Sequence, residues 1–160
     1  REAIPVELRS GLGNWIYGCD ICQEVCPWNE KHAVPTGESG FEARAENVSP
    51  SLPEILELDA EGFSRRFRRS PVKRAKRRGL LRNAAVALGN VGGVEALASL
   101  CCVMTEEEEP LVRAHAAWSI GRIGGGKARA ALEAALEKEA DGSVLEEIRS
   151  ALAELEEKAA

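Results

Sequence analysis

The sequence predicts a mainly α-helical protein in which a short, irregular, cysteine-bearing unit precedes a small stack of helical repeats. Two observations predict this fold class. Three of the five cysteines lie in the short stretch from Cys19 to Cys26, among helix-breaking glycines and prolines. An apolar pattern that begins at Leu80 recurs from Val112 onward. The length of 160 residues allows one domain, or one small domain with a short appendage.

The repeat is visible in two aligned segments, LLRNAAVALGNVGG at residues 80–93 and VRAHAAWSIGRIGG at residues 112–125. The same offset brings Val144 and Ile148 into register with Val112 and Ala116. A second apolar segment lies between the matching blocks, so each unit is predicted to be a helix, a glycine-rich turn and a second helix. Such a pair cannot bury its apolar stripe alone and must stack on its neighbours. This architecture resembles HEAT-type repeats, with EEIRSALAELEEKAA as a polar cap.

Three regions are predicted along the chain. Residues 1–30 form the end of a metal-binding unit, residues 31–53 form a connecting loop, and residues 54–160 form a basic helical segment with the repeats. Within the third region we expect a short helix from Ser64 to Arg69, which Ser70 and Pro71 end. The first residue is Arg1 rather than Met, which predicts that the chain is a piece of a longer protein.

The cysteine spacing is Cys19-x2-Cys22-x3-Cys26, followed by Pro27. It matches the last three cysteines of the bacterial ferredoxin run C-x2-C-x2-C-x3-C-P, in which the Cys-Pro cysteine ligates the other of two clusters. The sequence therefore predicts that Cys19 and Cys22 serve one iron–sulfur cluster and Cys26 another. The remaining ligands would then lie upstream of Arg1.

Two alternatives for these cysteines stay open at this point. A zinc site could use the three thiols with His32, although a three-residue gap followed by proline is less typical of zinc sites. Unliganded structural thiols are disfavoured because the loop has no apolar periodicity. Cys101 and Cys102 lie in a helical repeat, and we expect them to be small packing residues.

Charge is distributed unevenly. Residues 1–61 carry four Lys and Arg against twelve Asp and Glu, and residues 95–160 carry seven against fourteen. Residues 62–94 carry ten basic residues and no acid, in which arginine predominates: Arg65, Arg66, Arg68, Arg69, Lys73, Arg74, Lys76, Arg77, Arg78 and Arg82.

These ten cations, hereafter the basic strip, repel one another unless counter-charge is supplied. A polyanion supplies that charge and releases counterions as it binds. Arginine suits forked phosphate contacts and stacking on bases, so the strip predicts nucleic-acid binding. A solvated face and contact with an acidic protein are the alternatives. We expect His115 to pack on a helix surface, and an RNA contact is the minority interpretation.

The order of these pieces resembles the C-terminal part of the epoxyqueuosine reductase family. The resemblance is carried by IPVELRSGLGNWIYGCDICQEVCPWN, then SPVKRAKRRGLLRNAAVALGN, then the repeats. It implies a cobalamin-dependent enzyme with two [4Fe-4S] clusters that reduces epoxyqueuosine to queuosine, with loss of water, in tRNA with a GUN anticodon. Cys19 and Cys22 would ligate one cluster and Cys26 the other, while the basic strip and the repeats would hold the tRNA.

The resemblance also implies what this chain lacks. The cobalamin domain, the catalytic acid and the first cysteine run would lie upstream, so no catalytic residue is assigned here and the chain alone is expected to be inactive. An external electron donor, a monomeric state and a cytoplasmic location without membrane contact are further expectations. The alternatives are a non-catalytic RNA-binding or scaffold protein with a structural metal, and a ferredoxin-type electron-transfer subunit.

Overall fold

A computed structural model describes residues 2–158, and every regular element within that range is helical. The described residues up to Arg66 hold only short helices: α1 (Val6–Arg9), α2 (Ile21–Glu24), α3 (Pro27–His32), α4 (Leu52–Leu56) and α5 (Ala60–Arg66). The longer helices follow: α6 (Lys76–Val91), α7 (Ala96–Glu106), α8 (Pro110–Ile123), α9 (Gly126–Leu136) and α10 (Gly142–Glu157). None of the described helices is long and apolar enough to cross a membrane.

The repeat stack is built on one row of helices, α6, α8 and α10, hereafter the inner row. Helix α8 lies between α6 and α10, while α7 and α9 pack against α8 as a second layer, and α4 packs against α6 and α7. Apolar residues at equivalent repeat positions, such as Val112 and Val144, are fully buried between these helices. The structure agrees with the predicted fold class: the described elements are all helical, and a region of short helices precedes a short HEAT-like stack.

The helices of the inner row approach closely at two glycines that occupy equivalent repeat positions. A Cβ atom on Gly89 would lie 2.6 Å from the Ser119 Oγ and 2.9 Å from the Ser119 Cα. A Cβ atom on Gly121 would lie 2.7 Å from the Ala151 Cβ. Both members of each pair keep the repeat offset, so α8 packs on α6 as α10 packs on α8. Any larger side chain at either glycine would force the helices apart.

The structure corrects one predicted helix. The helix expected from Ser64 to Arg69 is instead α5, which begins at Ala60 and ends at Arg66. Asp59 caps its start, since the carboxylate accepts a hydrogen bond of 2.6 Å from the Gly62 amide. Its end precedes Arg69, whose φ of 57° is left-handed and cannot continue a helix. The prediction was wrong because it gave weight to the basic run and overlooked the cap.

Candidate iron–sulfur ligands and nucleic-acid interface

The three clustered cysteines lie on a tight path between short helices. Gly18, with a φ of 69°, turns the chain immediately before Cys19. Cys22 lies within α2, and Cys26 is the residue before α3, where Pro27 occupies the first helical position. The side-chain amide of Asn29 donates to the Gln23 carbonyl (3.2 Å) and side chain (2.7 Å), and so joins α3 to α2.

These thiols are free, and Cys19 and Cys22 are exposed. Among residues 2–158, no three His, Cys, Asp or Glu side chains come together as a metal site. The zinc alternative needed Cys19, Cys22, Cys26 and His32 in one group, so the described structure does not support it. The His32 ring stacks on Trp28 instead, with ring centroids 4.4 Å apart. Exposed thiols without a common centre fit ligands that are divided between two clusters.

The basic strip follows α5, a turn, the 3-10 helix Pro71–Ala75 and the first half of α6. The structure separates its ten members by their surroundings. Six are exposed: Arg65, Arg68, Arg69, Lys73, Arg74 and Lys76. Four are partly buried: Arg66, Arg77, Arg78 and Arg82. Exposed cations can contact phosphate, although Arg65 pairs with Glu61 and Lys73 donates to Ser64. The surface presented to a polyanion is therefore smaller than the sequence indicates.

Arg77 is held by a structural ion pair. Its guanidinium donates two hydrogen bonds to the Glu107 carboxylate, at 2.9 and 2.6 Å, and a third to the Leu58 carbonyl at 2.6 Å. Burial, the largest single effect, raises the pKa of Glu107, but the hydrogen bonds and charge of Arg77 together with the backbone amides of Glu109 and Glu108 lower that pKa overall. Glu139 occupies the equivalent position of the next repeat and accepts two hydrogen bonds from Arg113, through Nε and Nη2. The acidic partner of Arg77 therefore recurs at the repeat offset, although the arginine that pairs with it comes from a different position.

Arg82 also has internal partners. It donates to the Glu2 carbonyl and to the side chain of Asn83. Burial, followed by repulsion from Arg78, lowers the pKa of Arg82. One contact of Arg82 thus reaches residues 2–17, hereafter the N-terminal segment, and the other two remain within α6.

Four members of the basic strip surround a shallow hollow of about 340 Å³, hereafter the arginine hollow. It is lined by Arg44, Glu46, Arg65, Arg66, Arg68 and Arg69. Arg44 comes from the connecting loop and donates to the Arg66 carbonyl at 3.4 Å, while Arg66 donates to the Glu46 carbonyl and to Asn47. Five guanidinium groups around one hollow favour an anionic ligand. Sequence reasoning missed Arg44, because nothing in its acidic surroundings indicated that it joins the strip.

An apolar hollow of about 450 Å³ adjoins this arginine hollow. Trp15, Tyr17 and Phe67 are among its lining residues; Trp15 and Tyr17 are exposed, whereas Phe67 is buried. Asn47, which contacts Arg66, is a lining residue here as well. Aromatic faces beside a cationic groove are typical of surfaces that bind single-stranded nucleic acid.

His115 does not lie on an accessible surface, because its side chain is fully buried. Its Nε2 accepts a hydrogen bond of 3.0 Å from the Ile4 amide, so its Nδ1 carries the proton and donates to the Leu111 carbonyl at 2.7 Å. The expected surface position and the minority RNA contact are therefore both wrong. The ring instead binds the backbone of the N-terminal segment.

The burial of His115 predicts a pH dependence of stability. Burial, with Arg9 and Arg82 nearby, lowers its pKa from 6.5 to about 4, against weaker opposite effects of the Leu111 hydrogen bond and Glu147. Between these pH values only the unfolded chain takes up a proton, so the free energy of unfolding falls as pH decreases from 6.5 to 4. The total loss is about 3 kcal/mol. Urea unfolding of the chain and of His115→Gln across this pH range measures it.

Comparing the unmodified chain with the His115→Gln variant isolates the contribution of His115 to the pH dependence, because the carboxylates titrate in both proteins. We expect the unfolding free energy of the variant to depend less steeply on pH between 6.5 and 4. Equal slopes in the two proteins would show that His115 is not buried as a neutral ring.

A separate hollow of about 520 Å³ lies between α7 and α9. Its lining includes Cys101, Met104 and Arg113 but no member of the basic strip and none of the three clustered cysteines. Cys101 is half-buried against the core, and burial raises the pKa of its thiol. Cys102 is exposed and contacts Glu106. Cys101 is thus a packing residue, as expected, whereas the same expectation for Cys102 was wrong because its side chain faces away from the core.

Comparison with known proteins also distinguishes the cysteine-bearing N-terminal region from the helical stack. Residues 1–29 match the 4Fe-4S double cluster binding domain, and residues 73–153 match HEAT repeats. The chain is 39% identical over 120 residues to an epoxyqueuosine reductase of Xanthomonas campestris, covering 75% of this chain and 34% of that protein. It is 35% identical over 158 residues to that of Bacillus cereus, covering 97% of this chain and 40% of the relative.

A solved structure of an epoxyqueuosine reductase with a tRNA-Tyr epoxyqueuosine-modified stem loop superimposes with a TM-score of 0.89. The identity is 34%, and the match covers 97% of this chain and 41% of that one. A Bacillus subtilis epoxyqueuosine reductase gives a TM-score of 0.88 at 33% identity, with 96% and 41% covered. The chain thus spans well under half the length of these relatives. It belongs to the epoxyqueuosine reductase family, and it corresponds to the part in which a cluster-binding sequence is followed by HEAT repeats.

Proposed function

We propose that this chain is the cluster-ligating and tRNA-binding part of an enzyme that reduces epoxyqueuosine to queuosine in tRNA. One observation carries the proposal: three free thiols in the Cys-x2-Cys-x3-Cys-Pro spacing, two of them exposed, lie on the same chain as the arginine hollow. Membership of the family supports the reaction, and the shared fold supports the division of labour within it.

In this proposal Cys19 and Cys22 supply two of four thiolates to one [4Fe-4S] cluster, and Cys26 supplies the fourth thiolate to a second cluster. The upstream part of the protein supplies the others. Such clusters, when bound, carry single electrons. Gly18 and the hydrogen bonds of Asn29 hold the segments on which these thiols lie. Cobalamin would be bound by the upstream domain, as the family resemblance implies, and no residue described here is assigned to it.

The six exposed cations of the basic strip, with Arg44, would bind the phosphates of a tRNA that carries a GUN anticodon. The relative in complex with a tRNA-Tyr stem loop supports this partner. We assign Arg77 and Arg82 to structural contacts rather than to phosphate, because their described partners lie within the chain. The external electron donor, a monomeric state and a cytoplasmic location complete the proposal.

The reaction can be tested in a bacterial strain that lacks its own epoxyqueuosine reductase and therefore accumulates epoxyqueuosine in tRNA. We expect the full-length gene that encodes this chain to restore queuosine, measured by mass spectrometry of tRNA nucleosides. The chain of 160 residues alone should not restore it. Persistent epoxyqueuosine in cells that express soluble full-length protein would overturn the proposed reaction.

A further inference from the structure

One position of the repeat is polar in all three helices of the inner row. Asn83 on α6, His115 on α8 and Glu147 on α10 follow one another at the offset of the repeat itself. Their neighbours along the row, such as Ala84, Ala116 and Ile148, are buried apolar residues. Three polar side chains at one register therefore form a ladder that crosses the stack.

Every member of the ladder binds the N-terminal segment. The Asn83 amide donates to the Ile16 carbonyl at 2.7 Å, and His115 accepts from the Ile4 amide at 3.0 Å. Glu147 accepts two hydrogen bonds from Arg9, at 2.6 and 2.9 Å. The Arg9 side chain is only 2% exposed and also donates to the Ile4 carbonyl at 2.8 Å.

Two other side chains of the inner row reinforce these contacts. The Asn90 amide donates to the carbonyls of Arg9 (2.8 Å) and Gly13 (3.0 Å). The Trp118 ring lies beneath the Arg9 guanidinium, with 5.5 Å between the ring centroid and the guanidinium carbon. Most of these contacts go to main-chain groups of the segment. They therefore fix its backbone path and depend little on the identity of its side chains.

The segment then leads directly to the first cluster cysteine. Ile16, bound by Asn83, is followed by Tyr17, whose hydroxyl donates to the Pro71 carbonyl at 2.7 Å within the basic strip. Gly18 and Cys19 come next. Ile16 and Tyr17 therefore attach the chain just before Cys19 to α6 and to the 3-10 helix Pro71–Ala75, both of which carry members of the basic strip.

We propose that the ladder is a docking track for residues 4–16, and that Asn83 and Tyr17 are positioning residues that fix Cys19 relative to the basic strip. The polar register of the inner row thus binds the segment that leads to the cysteines. The contacts alone support the docking track. The functional importance of a fixed distance between Cys19 and the basic strip rests on the proposed cluster and tRNA roles. Positioning by a rigid neighbour is effective because displacements of about 1 Å can cost about a hundredfold in rate.

Hydrogen exchange of the chain tests the track without cluster or RNA. We expect Glu147→Gln, which keeps the shape of the side chain, to speed exchange of the Ile4 amide about tenfold or more. The amides of α8 should change less than about twofold. Glu146→Gln, on the adjacent residue of the same helix, is the matched control, because Glu146 is exposed and has no ion pair among the described residues. Unchanged exchange at Ile4, or equal acceleration throughout α8, would overturn the track.

The positioning role is tested by the distance between two spin labels, one on Cys19 and one on Lys73→Cys, with the other four cysteines replaced by serine. We expect the width of the distance distribution to increase about twofold or more in Asn83→Ala and in Tyr17→Phe, with the Glu146→Gln control unchanged. A distribution that keeps its width in both variants would overturn the positioning role. Neither measurement depends on the reductase activity, so the two proposals can fail separately.

Discussion

In the full-length protein, Cys26→Ser is expected to disrupt one [4Fe-4S] cluster and Cys19→Ser the other. The spacing assigns Cys19 and Cys22 to one set of ligands and the Cys-Pro cysteine to a different one, so each variant leaves one complete set of thiolates. Iron and acid-labile sulfide should fall to about half in each variant. Electron paramagnetic resonance of the reduced protein should then show a different remaining signal in the two.

Two controls accompany these variants. Cys22→Ser should behave as Cys19→Ser does, because both thiolates serve the same cluster. Cys102→Ser should retain the full iron content, since Cys102 is exposed on α7 and distant in sequence from the cluster motif. If Cys19→Ser and Cys26→Ser left the same signal, the divided ligand set would be wrong.

Removing charge from the arginine hollow is expected to weaken tRNA binding by about a hundredfold at low salt. The change is the combined replacement of Arg44, Arg65, Arg68 and Arg69 by glutamine. For every phosphate that is no longer neutralised, the slope of log K against log salt concentration should decrease by about 0.9 for duplex and about 0.7 for single strands. Fluorescence anisotropy of a labelled anticodon stem loop, titrated at several salt concentrations, measures both the affinity and the slope.

The control must remove the same number of charges elsewhere. Arg122, Lys127, Lys138 and Arg149 are exposed on the second half of the repeats, and their replacement by glutamine changes the net charge equally. We expect that variant to bind within about threefold of the unmodified protein, because diffuse charge contributes little beyond a Debye length of about 10 Å. Equal losses in the two variants would mean that net charge, and not the hollow, attracts the RNA.

The repeat architecture could be predicted from sequence because its cause is local and periodic. The repeat offset appears in apolar residues whose burial the structure confirms, such as Leu80, Val112 and Val144. The glycines that end the first helix of each unit were visible as well. Helix caps were harder to predict. Helix α5 begins after its cap Asp59, whereas the prediction started the helix at Ser64, within the charged run.

Long-range polar contacts could not be predicted in the same way. Arg82 was counted with the basic strip because charge is a property of the sequence, whereas its contact with the Glu2 carbonyl depends on how the N-terminal segment folds back. His115 was expected on a helix surface because the sequence does not show that the N-terminal segment covers it. The sequence shows that Asn83, His115 and Glu147 share one position of the aligned repeats. Their role follows only from their contacts with the N-terminal segment.

The ladder restricts the insertion or loss of repeat units between α6 and α10. Most solenoids gain or lose whole units freely, because each unit contacts only its neighbours. Here a single segment reaches α6, α8 and α10, through Ile16, Ile4 and Arg9 respectively. Inserting one further repeat unit between α6 and α8 would move two of these attachment points away from the third. The segment therefore fixes the number of repeat units between α6 and α10.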